Sequence, residues 1–185
     1  MKKIISILAA IVFITIAFTA CNHPNREKRI IKIDSLSMVL TKVDSMLTYQ
    51  INYDDIVTRY NELKKTQEAM SPYFLKLTQK EKSDYDQYTS SEKHLKNLIA
   101  SFENYKKELE YSKKQLNNLK EDLNNKAIKK DKFEEFYIIE SKAVYNLLNV
   151  VKTEVYKTNK HIEKNNLFLP IVLQIIETKS KTNKK

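Results

Sequence analysis

Residues 95–123 read LKNLIASFENYKKELEYSKKQLNNLKEDL, and their spacing decides the fold. Leu95, Leu98, Phe102, Tyr105, Leu109, Ser112, Leu116, Leu119 and Leu123 follow one another in alternating steps of three and four. Only Ser112 is not apolar. On an α-helix these steps hold the side chains on one narrow seam, the pattern of helices that pack lengthwise in coiled-coil fashion. Glu92 and Lys96, Glu103 and Lys107, and Glu110 and Lys114 stand at i,i+4 with the acid first. That order favours ion pairs of roughly 0.3 kcal/mol each, and the three pairs read as the solvated face.

Working outward, Thr78 followed by Glu81 fits a capping box that starts this helix, and Asn124-Asn125 marks its end. Asp131 followed by Glu134 fits a second capping box. The helix it opens carries Phe133, Tyr137, Val144, Leu147, Val151, Val155 and Ile162 on one face. Upstream, Ile33, Leu36, Leu40, Val43 and Leu47 step by three and four, and Ile56, Tyr60, Leu63 and Met70 resume after a phase break at Gln50–Asp55. The break reads as a stutter in one long helix; a true turn there would make four helices. The joints, about 71–78 and 126–131, are short, which makes neighbouring helices antiparallel. The predicted fold is all-α: an elongated up-down-up three-helix bundle, or a four-helix one, forming a single domain over residues 30–178.

The composition agrees. The 185 residues include no Gly, where roughly a dozen are expected. Phosphate loops, dinucleotide fingerprints and nucleophile elbows need Gly for positive φ or close approach, so those enzyme classes are excluded by count. Strand-rich folds are disfavoured on the same ground.

The N-terminus carries an address. Lys2 and Lys3 precede an uncharged run from Ile4 to Asn22, the layout of a secretory signal peptide. The run ends in Phe18-Thr19-Ala20-Cys21, and Cys21 is the chain's one cysteine. This stretch resembles the lipobox of bacterial lipoproteins, with Phe18 where Leu is usual. The resemblance covers residues 1–21. It implies that residues 1–20 are removed, that Cys21 is acylated, and that residues 21–29 are a lipidated tether. Two other readings remain: an uncleaved membrane helix at the lower length limit for spanning a bilayer, and a plain thiol. One cysteine allows no internal disulfide, so packing must supply stability. Arg26, Lys28 and Arg29 beside the anchor suit anionic headgroups, by about 1 kcal/mol each. A basic stretch after the Cys points to a periplasm-facing outer-membrane position.

Without Lys2 and Lys3 the net charge falls from +10 to +8, carried by Lys far more than Arg. Arg is the preferred bidentate phosphate reader, so no nucleic-acid partner is expected, nor a small-molecule ligand. His23, His94 and His161 lack the Glu-x-x-His and His-x-x-x-His spacings of metal bundles; no metal, cofactor or catalytic residue is expected. The tail 179–185 reads as disordered.

With the first helix leaving the membrane, the 71–78 joint and the apolar run 167–176 should meet at the distal tip. A hydrophobic cap that closes the open end of the bundle is the first reading of this meeting; the sharper one makes Tyr73, Phe74, Phe168, Ile171 and Ile175 candidate partner contacts. The expected function is that of a non-enzymatic, lipid-anchored structural or protein-binding module. A surface-displayed binder of a soluble host or environmental protein, and an accessory subunit of an envelope enzyme complex, are the alternatives.

Overall fold

The computed structural model describes residues 24–182. The expected signal peptide, Cys21 and His23 lie outside them. Five α-helices follow in order: α1 (Pro24–Ser45), α2 (Tyr53–Met70), α3 (Gln79–Thr89), α4 (Glu92–Asn124) and α5 (Lys130–Thr182). There is no strand among the described residues.

The five helices make three limbs. Asp34 pairs with Lys120, Asp44 with Lys113 and Lys64 with Glu92, and Tyr53 stacks on Phe102. Advance along α1 and α2 is thus matched by retreat along α4, on both sides of the break at residues 46–52. α1 and α2 are one limb, antiparallel to α4. Lys32 meets Glu134, Arg59 meets Asn166 and Lys179 meets the carbonyl of Lys76, so α5 runs parallel to the first limb. The result is the up-down-up bundle expected. α5 has 53 residues and is about 80 Å long at 1.5 Å per residue.

The break in the first limb has a local cause. Met46–Gln50 form a π turn, closed by the amide of Ile51 on the carbonyl of Met46 at 2.9 Å. Asn52 then caps α2, its Oδ1 accepting from the amide of Asp55. The extra residue shifts the apolar phase so that Leu47, Ile51 and Ile56 all reach the core.

Five expectations need correction. The Thr78–Glu81 capping box forms, but its helix ends at Thr89, and α4 starts anew at Glu92. Ser90 and Ser91 explain this: their hydroxyls bond back to the carbonyls of Gln87 (2.7 Å) and Tyr88 (3.3 Å), competing with the helical amides. The Asp131–Glu134 box does not form. α5 begins two residues earlier than that box requires, at Lys130, and Glu134 turns outward to Arg29 and Lys32. Residues 24–29 are helix rather than tether, and 179–182 are helix rather than tail, because Lys179 is tied to Glu81 at 3.0 Å. Finally, the i,i+4 pairs give way to other partners: Glu92 goes to Lys64, Glu103 to Lys106 and Glu110 to Lys113.

With no Gly available, the joints use other devices. Pro72 opens a 3-10 turn over Ser71–Lys76. After α4, Lys126 takes φ 57°, the one positive φ among the described residues, and the amides of Lys126 and Ala127 bond to the carbonyls of Leu123 and Asp122. This is a Schellman ending with Lys in the usual Gly place.

The core divides into two clusters. The larger includes Leu36, Leu40, Leu98, Leu109, Leu116, Phe133, Leu147 and Val151. The smaller, distal one holds Leu63, Met70, Leu77, Tyr88, Val172 and Ile175. All nine seam residues of α4 are buried except Tyr105, which is half-buried.

Candidate functional site: the distal tip and the polar belt beneath it

The tip is built where the 3-10 turn, α3 and the end of α5 converge. Thr78 accepts from the amide of Glu81, whose carboxylate accepts from the amide of Thr78 at 2.6 Å. Lys179 closes over both segments, pairing with Glu81 and donating to the carbonyl of Lys76. The Thr78 amide, with help from Lys179, holds the Glu81 carboxyl below its ordinary range. The two most apolar stretches therefore do meet at the end farthest from residue 24.

The five candidate contacts divide there. Ile175 is buried with Val172 and Leu77, so it belongs to a cap closing the bundle. Tyr73 and Phe168 are half-buried against the same cluster. Phe74 is 41% exposed, its ring edge-on to Tyr85 at 5.8 Å, and Ile171 is 36% exposed. Outside those five, Leu75 in the same 3-10 turn is 92% exposed. Leu75 was missed because the joint reads as uniformly apolar; the 3-10 turn points it outward.

Below the tip lies a polar belt between the two core clusters. On α4 and the turn before it, Ser91 and His94 occupy the interval; on α5, Thr158, His161 and Asn165 do. The His94 and His161 rings stack at 4.6 Å. His94 Nε2 lies 3.0 Å from Thr158 Oγ1, and Nδ1 lies 3.8 Å from Glu154. His161 Nδ1 and Asn165 Oδ1 are buried without a partner among the described residues. Burial pushes the pKa of His94 down, against the pull of Glu154. Burial also lowers that of His161, with His94 and Lys164, Lys160 and Lys157 adding repulsion. The arrangement favours a neutral pair. Among the described residues no group of three His, Cys, Asp or Glu could hold a metal ion, and no helix is long and apolar enough to cross a membrane.

The belt was legible in principle. Continuing by three and four from Val151 gives Glu154, Thr158, His161, Asn165, Phe168, Val172 and Ile175. Val155 and Ile162, apolar residues that flank this seam, draw the apolar face away from it.

No protein-family model matches the chain, and no curated protein or solved structure is significantly similar to it.

Proposed function

We propose that the chain is a lipid-anchored helical lipoprotein of a cell envelope, a structural or protein-binding module that performs no catalysis. Residues 1–20 are removed, Cys21 carries the acyl chains, and the protein stands in the periplasm on the outer membrane. One observation supports this reading: the described part of α1, from Pro24, lies at one end of the rod, while the exposed apolar side chains Phe74, Leu75 and Ile171 sit at the opposite end. A rod fixed by lipid at one end displays a contact surface at the other, roughly 70–80 Å away at 1.5 Å per helical residue. Two or three acyl chains hold a protein at a bilayer stably, each buried methylene adding about 0.8 kcal/mol.

Fatty-acid labelling of intact cells tests the anchor. The wild-type chain should incorporate label and partition with membranes, and Cys21→Ser should do neither. Normal labelling of Cys21→Ser would eliminate the anchor. For the tip, crosslinked capture from membranes should recover a partner that Leu75→Glu loses; unchanged capture would remove the tip as the contact.

A further inference from the structure

At the end of the bundle opposite the tip is a cavity of about 270 Å³. Arg26 and Arg29 of α1, Lys126 of the α4–α5 joint and Lys130 of α5 line it, with Leu123 and Ile128 as its apolar wall. Four cations and no carboxylate face this space. Arg29 is partly engaged, 3.6 Å from Glu134 and over the Phe133 ring. Arg26 donates through Nη2 to Asn124 Oδ1 at 2.8 Å, yet its Nε is buried with no acceptor among the described residues. Among the described residues no carboxylate lies within ion-pair distance of Arg26, Lys126 or Lys130.

Buried donors are normally satisfied, and like charges converge only where something offsets them. Two backbone features reinforce the imbalance. α5 begins at this end, so the positive end of its dipole, with its free first-turn amides, adjoins the cavity. Lys126 is held at φ 57°, a conformation disfavoured for Lys, at the rim. The space suits a group with several acceptor oxygens and a full negative charge, and Arg forks match phosphate geometry.

We propose that this cavity is a phosphate-binding site, bounded by Arg26, Arg29, Lys126 and Lys130, that takes the phosphate of an anionic phospholipid headgroup or of a free phosphate compound. The lipid source rests on the anchored reading above, which puts this end against the bilayer; the site itself does not.

The test uses the full mature chain carrying Cys21→Ser, so that acylation plays no part. Inorganic phosphate and soluble short-chain phosphatidylglycerol are titrated while the amide resonances of residues 123–130 are followed. Flotation with phosphatidylglycerol and phosphatidylcholine vesicles runs in parallel. Saturable shifts confined to this end are expected, with affinity for phosphatidylglycerol lowered about tenfold or more by Arg26→Gln with Lys126→Gln. Lys126→Gln alone removes a charge from an exposed side chain without disturbing packing, and should lower affinity severalfold. A control pair, Lys80→Gln with Lys82→Gln, makes the same change in net charge at the far end and should have no effect. Selective flotation with phosphatidylglycerol identifies the lipid source. Saturable phosphate binding without it identifies the free source, and either supports the site. Absence of shifts with both probes, or an equal loss in the control pair, overturns it. Loss of fatty-acid labelling in cells would refute the anchor while leaving this result standing.

Discussion

Ser112 is the residue at which the seam of α4 departs from apolar character. It is buried, and its hydroxyl has no partner among the described residues. A buried hydroxyl without a hydrogen bond costs about 1–3 kcal/mol. Ser112→Ala should therefore raise the unfolding free energy by about 1 kcal/mol, while Leu109→Ala, three residues earlier in the same seam, should lower it by about 2–4 kcal/mol. Urea titration of both variants checks this; a destabilising Ser112→Ala would mean that the hydroxyl has a role in packing. The position of Ser112 in the core was legible from spacing alone. That its hydroxyl is unpaired was not, because it depends on what α1 and α5 present to it. Lys126 is the second such residue. Gly relieves the left-handed conformation but loses more entropy on folding, so Lys126→Gly should stabilise by about 0.5–1 kcal/mol. A fall in melting temperature for this variant would contradict the Schellman ending.

At the scale of elements, the polar belt on α4 and α5 makes stability depend on pH. His94 and His161 both have native pKa values below the ordinary 6.5. The unfolded chain therefore binds more protons than the native one as pH falls below about 6.5, and stability is lost from there down to the lowered native values. Above that window the contribution is fully present. Glu154 opposes the loss, and Lys157, Lys160 and Lys164 add to it. Denaturant midpoints measured between pH 7.5 and 5 should fall in the wild type and flatten in His161→Leu. An unchanged slope in that variant would mean that His161 binds protons alike in the native and the unfolded chain. Helix existence and seam phase were readable here because three-four spacing persists over many turns. The element ends were not: Ser90-Ser91 breaks a helix by hydroxyl competition, which an apolar pattern does not register, and Glu134 prefers two cations of α1 to a cap.

For the whole molecule, the short joints fixed the up-down-up order, and the meeting of two apolar runs at one end followed from it. Which of those side chains close the end and which face outward depends on the rotation of a 3-10 turn that no periodicity encodes. Ile175 lies inside and Leu75 outside. Ile175→Glu places an unpaired carboxylate among Val172 and Leu77 and should cost several kcal/mol. Leu75→Glu should change stability by less than about 0.5 kcal/mol. Equal melting temperatures for the two would mean that the tip is not packed as described. The central claim is that the limbs extend the full length of the rod, so that its two joints are at opposite ends. Spin labels at Leu75→Cys and Lys126→Cys, in a Cys21→Ser chain, test it most directly by electron–electron double resonance. The rise of α3 and α4 between the joints puts the labels roughly 70 Å apart; a distance below about 40 Å would mean that the chain folds back on itself at the α3–α4 break.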